Sequence, residues 1–280
     1  MLFRSLGECP IWDERGRSLY WVDSRGPAIK RLATDSGVVE VLPLPETVGS
    51  IAFRERGGML AATKSGIHFF DPESRSLTVV ARPESHLPDN RFNDGRCDRQ
   101  GRFWAGTMSD LRRDPVGTLY RLDTDLACTP LRNAIIIPNG LAWSPDGRSM
   151  YFADTNRSTI WVWDYDPENG AATRERVFAD TGTGRPDGSC VDVEGCLWNA
   201  EYGAGRLVRY TPGGKQDRVI ELPVTNPTCC CFGGEHLDVL YITSARQRLT
   251  PAELASQPLA GGVLAVRPGV RGLPESRFAG

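Results

Sequence analysis

The stretch RPDGSCVD (residues 185–192) places a turn-forming Asp-Gly pair directly before a short apolar run. Three other stretches begin in a similar way: GECPIWD (residues 7–13), FNDGRCD (92–98) and PNGLAWS (138–144). In each of them a polar side chain stands at the head of a short run that leads into a β-strand pattern. Because four related starts in one chain are unexpected by chance, they indicate an internal repeat.

The polar residue at the head of each run is called position zero. A glycine follows eight residues after each of five such residues, at Gly16, Gly58, Gly101, Gly147 and Gly195. The corresponding position-zero residues are Glu8, Ser50, Asn93, Asn139 and Asp187. Successive position-zero residues are 42 to 48 residues apart, which is the length of a four-stranded propeller blade.

Each unit between these positions carries three or four strand patterns. In the unit that begins at Asn139, LAW is followed by the turn SPDGR, the run SMYFAD and the run STIWVWDYDP. Two β-rich runs across a Gly-bearing turn are typical of a hairpin. A sixth unit begins near Thr228, and the only helical stretch is TPAELASQ (residues 250–257). The sequence therefore predicts an all-β fold, a single six-bladed β-propeller domain spanning residues 1–280.

Composition narrows the class of partner. The chain has 280 residues, 40% of them hydrophobic, and a net charge of −2, so it offers no basic surface for nucleic acid or for an anionic membrane. No apolar stretch reaches the length of a membrane span, and the first residues lack the core of a signal peptide. The eight cysteines show no CxxC pair or zinc spacing, which favours reduced thiols. We expect a cytoplasmic protein with a small-molecule partner.

The propeller prediction brings the position-zero residues together. The innermost strand of each blade lines the central channel, so Glu8, Ser50, Asn93, Asn139, Asp187 and Thr228 are expected to meet near one mouth of that channel. This set contains two carboxylates, two amides and two hydroxyls and no histidine, a combination that suits a hard divalent cation such as Ca²⁺, Mg²⁺ or Mn²⁺. Glu8, Asn139 and Asp187 are the predicted metal ligands. A cation would also relieve the repulsion between the two carboxylates.

Simpler interpretations cover part of this pattern. Asp-Gly and Asn-Gly pairs are common turn formers, and any one position-zero residue could be explained in that way. A fixed offset to a glycine in several units is not explained by turn chemistry alone. The three histidines, His68, His86 and His236, share no ligand spacing and stand beside no nucleophile signature, so a Ser/His/Asp triad has little support.

The motifs also carry a family resemblance along nearly the whole chain. They are LGECPIWD (residues 6–13), NRFNDGRCDRQGRFWAGTM (90–108), PNGLAWSPDG (138–147), RPDGSCVD (185–192) and CCCFGG (229–234). Together they resemble the SMP-30/gluconolactonase family of six-bladed propellers, in which NRFNDG paired with GTM is the specific part. The resemblance implies hydrolysis of a sugar lactone with one divalent metal ion, and Ca²⁺, Zn²⁺, Mn²⁺, Mg²⁺ and Fe²⁺ are all compatible with it.

Matching the motifs assigns roles to individual residues. The resemblance makes Glu8, Asn139 and Asp187 the metal ligands, as the repeat already suggested, with Asp187 also acting as the acid/base group. It makes Arg91 and Asn93 the substrate-binding residues. Cys9 replaces the small residue often found after that glutamate, and we expect it to narrow the channel or soften the metal site.

Several alternatives stay open at this stage. The substrate could be gluconolactone, xylonolactone, arabinonolactone or another sugar lactone, or a different ester or lactone altogether. A propeller that binds a protein partner or has a regulatory role, with a structural cation, is the non-enzymatic alternative. The polar segment SDLRRDPVG (residues 109–117) is hypothesised to cover the pocket. Since the start of the chain is short for a closing strand, the C-terminal GLPESRFAG (residues 272–280) is expected to supply part of the ring closure.

Overall fold

Six antiparallel sheets, each made of strands that follow one another in sequence, form the fold. The computed structural model describes residues 6–280. Blades 1 to 3 contain β1 (Gly7–Asp13), β2 (Ser18–Asp23), β3 (Ala28–Ala33), β4 (Val38–Pro43), β5 (Val48–Phe53), β6 (Met59–Thr63), β7 (Ile67–Phe70), β8 (Leu77–Ala81), β9 (Asn90–Cys97), β10 (Phe103–Ser109), β11 (Gly117–Leu122) and β12 (Cys128–Ile135). Blades 4 to 6 contain β13 (Pro138–Trp143), β14 (Ser149–Asp154), β15 (Thr159–Tyr165), β16 (Ala172–Asp180), β17 (Arg185–Val191), β18 (Leu197–Tyr202), β19 (Arg206–Tyr210), β20 (Gln216–Glu221), β21 (Pro227–Gly233), β22 (Val239–Ser244) and β23 (Val263–Val266).

The repeated glycine belongs to the hairpin turn between the first and second strands of a blade. Gly58, Gly101, Gly147 and Gly195 all have positive φ, between 68° and 80°, a region that side-chain-bearing residues rarely adopt. In blade 1 the following residue, Arg17, takes the positive φ of 46° instead of Gly16. The spacing of eight residues thus covers the innermost strand from position zero to its end, together with the turn up to the glycine.

The sheets close into a ring. The first strands of successive blades contact one another in the order β1, β5, β9, β13, β17 and β21, and β21 contacts β1 again. Six apolar clusters lie between neighbouring blades, one at each of the six seams. At the seam between blades 3 and 4, for example, the rings of Trp104 and Trp143 lie 6.0 Å apart. The predicted six-bladed β-propeller is confirmed.

The two ends of the described chain close the ring in different ways. In blade 6, Thr228 donates a hydrogen bond to the Gly7 carbonyl oxygen at 2.5 Å, and Leu6 forms an isolated bridge with Ala245. The expectation about the short start of the chain concerns residues 1–5, which lie outside the described residues.

The C-terminal segment runs across the face of the ring that carries the Gly-bearing hairpin turns. Gly272 pairs with Asp192 of blade 5, and the Gly272 amide donates to the Leu237 carbonyl of blade 6 at 2.8 Å. Further on, the Phe278 amide donates to the Phe53 carbonyl of blade 2 at 2.8 Å. The segment thus contributes to closure as a strap that joins blades, and it adds no strand to blade 6.

A single short α-helix, α1 (Pro251–Ser256), lies between β22 and β23 where TPAELASQ predicts it. Thr250 and Glu253 form a capping box, in which each side chain bonds the backbone amide of the other residue, and this satisfies two amides of the first turn. No helix of residues 6–280 has the length and apolar character needed to cross a bilayer.

Candidate active site

A cavity lies at one mouth of the channel. Two kinds of segment build it: the starts of the innermost strands, and the connections that follow the second strands of the blades. Both reach the same mouth because each innermost strand runs away from it and the second strand returns antiparallel. The innermost strands contribute Leu6, Glu8, Arg91, Asn93, Ile137, Asn139, Arg185 and Asp187, and the second strands with their connections contribute Arg25, Met108, Arg113, Thr155, Tyr202, Gln247 and Arg248.

Every innermost strand is irregular beside its position-zero residue. The pairing register shifts between Glu8 and Ile11 in β1, between Asn139 and Ala142 in β13, and between Pro186 and Ser189 in β17, and the other three innermost strands shift at the equivalent place. A bulge bends the strand and re-aims a side chain. The repeat in the sequence therefore marks a backbone feature that turns these side chains toward the mouth.

Four of the six position-zero residues line the cavity: Glu8, Asn93, Asn139 and Asp187. Ser50 and Thr228 do not. Ser50 is fully buried and its Oγ has no hydrogen-bond partner, whereas Thr228 is occupied with the Gly7 carbonyl and with Thr243. The structure thus brings the three predicted metal ligands and Asn93 together. Ser50 and Thr228 are buried and do not reach the cavity.

The two carboxylates share an environment that disfavours their negative charge. Burial, together with the nearby charge of Asp94, raises the pKa of Glu8 to about 8, although Arg91 opposes this. Burial and the charges of Glu8 and Asp94 also raise the pKa of Asp187 well above its usual range. The Oδ1 atom of Asp187 is buried without a hydrogen-bond partner. A buried oxygen without a donor, beside a second carboxylate, is what a cation would satisfy.

The donor set fits a hard divalent ion and does not fit a soft one. Among residues 6–280 no three His, Cys, Asp or Glu side chains lie together in a way that could hold a metal. A site here would need the amide oxygen of Asn139 in addition to the carboxylates of Glu8 and Asp187. Carboxylate and amide oxygens are ligands that Ca²⁺ and Mg²⁺ accept.

A hydrogen-bonded chain of amides fixes one side of the cavity. Asn93 Nδ2 donates to Asn139 Oδ1 at 3.0 Å, and Asn139 Nδ2 donates to Thr155 Oγ1 at 2.7 Å. Thr155 Oγ1 in turn donates to the Pro186 carbonyl at 2.7 Å. The chain crosses from blade 3 through blade 4 to blade 5, so it sets the orientation of the Asn139 oxygen relative to Asp187.

Arg91 is held from two sides. Its Nε donates to Asp110 Oδ1 at 2.7 Å, and one terminal nitrogen donates to Asn93 Oδ1 at 2.8 Å. The residue is 4% exposed. Asp110 also bonds Arg25, at 3.0 and 3.1 Å. The predicted pair Arg91 and Asn93 is therefore a rigid unit that presents a guanidinium and an amide to the cavity.

Four of the arginines in the lining were not expected from the sequence: Arg25, Arg113, Arg185 and Arg248. The sequence contained a signal for Arg185. Arg185 stands two residues before Asp187, as Arg91 stands two residues before Asn93, and residues two apart in a strand face the same side. Leu6 and Ile137 hold the same position in blades 1 and 4. The other three arginines follow the second strands, Arg25 two residues after the end of β2, and Arg113 and Arg248 each four residues after the ends of β10 and β22.

Two smaller expectations have different outcomes. Cys9 does not line the cavity; its thiol is buried at the seam with blade 2, where Sγ lies 3.4 Å from both the amide nitrogen and the carbonyl oxygen of Ile51. The expected narrowing of the channel by Cys9 was therefore wrong. The segment of residues 109–117 borders the mouth and supplies Arg113 to the lining.

Comparison with known proteins identifies the family. The model of the SMP-30/Gluconolactonase/LRE-like region matches residues 6–246. The chain belongs to this family. A curated member, 6-deoxy-6-sulfogluconolactonase from Pseudomonas putida, is 40% identical over 277 residues, which cover 98% of this chain and 95% of the relative. The L-arabinolactonase of Azospirillum brasilense is 38% identical over 282 residues, covering 99% and 93%.

A solved structure of the family has the same fold. It is described as a calcium-binding protein, regucalcin, from Agrobacterium tumefaciens, and it superposes with a TM-score of 0.93 at 32% identity, covering 98% of this chain and 93% of that one. The family resemblance predicted from the motifs is confirmed. So is the predicted enzyme class at its coarse level, since relatives of this similarity are named lactonases, which hydrolyse cyclic esters.

Proposed function

We propose that this member of the SMP-30/gluconolactonase family hydrolyses the lactone of a sugar acid to the open-chain acid, with one divalent metal ion. One observation carries the proposal. Two carboxylates, the half-buried Glu8 and the buried Asp187, line the mouth of the channel with an unpaired Asp187 oxygen and with amide and guanidinium donors beside them. The relatives named sulfogluconolactonase and arabinolactonase support the substrate class.

Glu8, Asn139 and Asp187 would hold the ion. When bound, a divalent ion in such a site polarises a carbonyl oxygen as a Lewis acid. The regucalcin neighbour, described as calcium-binding, supports Ca²⁺ as the first ion to try.

Asp187 is the proposed acid/base residue. Its carboxylate has two oxygens, so one could contact the ion while the other accepts a proton from the attacking water and returns it to the ring oxygen of the lactone as the C–O bond breaks. The amide chain through Asn139 keeps this side of the cavity in place during the transfer.

Arg91 and Asn93 are proposed to orient the substrate. The Arg91 guanidinium is fixed by Asp110 and by Asn93 Oδ1, so it can meet the hydroxyls or carbonyl of a sugar lactone without a large loss of side-chain entropy. Asn93 bonds both Arg91 and Asn139. The pair therefore links the place where the sugar binds to the place where the ion would bind.

The experiment is a panel of pentono- and hexonolactones given to protein stripped by chelator and refilled with Ca²⁺, Mn²⁺, Zn²⁺, Mg²⁺ or Fe²⁺. Acid release is followed with a pH indicator, and spontaneous opening is subtracted. Turnover that appears only after refilling supports the proposal. If no lactone is opened faster than it opens spontaneously, with any of the ions, the proposal is contradicted.

A second candidate is a binding or regulatory propeller with a structural cation, which the regucalcin neighbour favours. In that case an ion would raise the melting temperature of the protein and no lactone in the panel would be opened. The same stripped and refilled samples, measured by differential scanning fluorimetry, separate the two candidates.

A further inference from the structure

The mouth of the channel carries a concentration of positive charge that hydrolysis of a neutral sugar lactone does not require. Five arginines line one cavity: Arg25, Arg91, Arg113, Arg185 and Arg248. The whole chain has 33 basic and 35 acidic residues, for a net charge of −2. Positive charge is thus gathered at this site on a protein that is weakly negative overall.

Three of these arginines have no acidic partner. Arg25 and Arg91 share Asp110, but Arg113, Arg185 and Arg248 form no hydrogen bond or ion pair through their guanidinium groups with any of residues 6–280. Glu8 and Asp187 are the acidic residues of the lining, and a divalent ion bound between them would neutralise both. The three guanidinium groups would then have no carboxylate within ion-pair distance, although Asp110 acts on Arg113 at longer range.

The three arginines are also arranged as a group. The Arg185 guanidinium carbon lies 5.2 Å from the centroid of the Tyr202 ring, within the range of a cation–π contact that restrains the side chain. Burial and the charges of Arg248, Arg91 and Arg25 lower the pKa of Arg113, although Asp110 opposes this, so these side chains lie close enough to interact electrostatically. Arg248 is held in a left-handed backbone conformation, with φ of 67°, which is uncommon for a residue with a side chain and occurs often at binding sites.

We propose that the substrate carries an anionic group outside its lactone ring, a sulfonate, phosphate or carboxylate, and that Arg113, Arg185 and Arg248 bind it. This rests on the proposed lactonase function and narrows its substrate class to anionic lactones. Guanidinium groups bind such oxyanions through paired, charge-assisted hydrogen bonds. An anion also removes the mutual repulsion of the three cations, because it supplies the negative charge that the protein does not.

The test compares lactones that share one ring and differ in the group at carbon 6, and therefore in charge. D-Glucono-1,5-lactone is the neutral member, and its 6-phospho, 6-deoxy-6-sulfo and 6-carboxylate analogues are the anionic members. With ion-loaded protein we expect kcat/KM to be about 10- to 100-fold higher for an anionic member than for the neutral one, the range of one or two charge-assisted hydrogen bonds. Which analogue is fastest names the anion. Equal kcat/KM for neutral and anionic members would overturn the proposal.

Substitutions of single arginines show which side chains cause the preference for anionic lactones. Arg185→Gln and Arg248→Gln should each lower the ratio of anionic to neutral kcat/KM about tenfold, mainly by raising KM for the anionic member, and Arg185→Lys should restore part of it. The matched control is Arg56→Gln, since Arg56 is exposed in the turn between β5 and β6 and does not line the cavity. The control should keep the wild-type ratio. A ratio unchanged in both Arg185→Gln and Arg248→Gln would contradict the assignment.

A binding measurement separates this inference from the proposed function. Isothermal titration with 6-phosphogluconate and with gluconate does not require turnover. If no lactone is opened but 6-phosphogluconate binds more tightly than gluconate, and Arg185→Gln removes the difference, the lactonase proposal fails and the anion site stands. If lactones are opened but the two acids bind equally, the lactonase proposal stands and the anion site is refuted.

Discussion

At the scale of single residues, the site depends on charged side chains such as Arg91 and Asp187, which are buried and therefore weakly screened by water. The sequence predicted Glu8, Asn139 and Asp187 because they share an offset from a glycine, and the structure brings them to one cavity. It did not predict the arginines of the lining. Arg25 follows Glu8 by 17 residues, and Arg113 and Arg248 follow Asn93 and Thr228 by 20, a spacing at which only two of the six blades carry an arginine. A repeat reveals residues that the fold places equivalently, and it cannot reveal residues that loops supply one by one.

Glu8 makes the stability of the ion-free protein depend on pH. Its folded-state pKa is raised from 4.5 to about 8, so between these values the folded protein keeps a proton that the unfolded chain releases. The free energy of unfolding should therefore fall as pH rises through this window, by at most about 1.4 kcal/mol per pH unit for this proton. Urea denaturation in the presence of chelator, from pH 5 to pH 8, measures this slope.

Glu8→Gln is the matched variant for that measurement, because it keeps the shape and removes the titrating group. It should show a shallower decline of unfolding free energy with pH than the wild type. Identical slopes would mean that Glu8 is not the group that holds the proton.

Asp110 is expected to act through Arg91. Its Oδ1 accepts from Arg91 Nε at 2.7 Å, so Asp110→Asn should loosen the guanidinium and raise KM about tenfold, with a smaller effect on kcat. Asp114→Asn is the control, because Asp114 lies in the same segment and pairs with Arg112 at 3.3 Å instead. Steady-state kinetics on the best lactone of the panel measures KM and kcat for both variants. An equal KM in the two would contradict the role given to Asp110.

At the scale of elements, the bulge in each innermost strand is the feature that makes the site. The sequence indicated where the bulges are, through the polar residue followed by Gly in PNG and PDG, but these pairs were equally consistent with turns. Only the strand pairing shows that position zero lies within a strand that bends. Gly140, with φ of 67°, is the residue that lets β13 make this bend directly after Asn139.

Gly140→Ala should therefore weaken both fold and site. A methyl group there would lie 3.0 Å from Ala153 Cβ and 3.3 Å from the Asp187 carbonyl oxygen, in a backbone region that costs about 1–2 kcal/mol for a residue with a side chain. Gly37→Ala separates the two effects, since Gly37 has φ of 69° and open space around it. Denaturation and calcium titration should show that Gly37→Ala loses stability alone, whereas Gly140→Ala loses more stability and also calcium affinity. Unchanged calcium affinity in Gly140→Ala would contradict the role of the bulge.

At the scale of the whole molecule, the ring and its channel follow from a sequence period that is visible without any structure. The sequence period could not show how the C-terminal strap holds the ring of blades together. The C-terminal strap passes from blades 5 and 6 to blades 2 and 3, and its far end is anchored by a side chain that packs between blades 2 and 3. We infer that this strap makes the described blades unfold together.

Phe278 is the main anchor of the strap. It is fully buried in the cluster between blades 2 and 3, so Phe278→Ala should cost about 3–5 kcal/mol of unfolding free energy. Leu259→Ala, at a side chain that is half exposed, should cost less than about 0.5 kcal/mol. Chemical denaturation compares the two variants, and similar losses in both would show that the strap does not stabilise the ring.

The central claim is that lactone hydrolysis depends on an ion held by Glu8, Asn139 and Asp187, and calcium titration of stripped wild-type protein and of Asp187→Asn tests it most directly. Initial rates on the best lactone are measured along each titration. We expect the wild type to bind one ion and to gain activity in proportion, whereas folded Asp187→Asn should bind little and turn over about 10²- to 10⁴-fold more slowly. Wild-type turnover in Asp187→Asn, or full activity in the stripped protein, would contradict it.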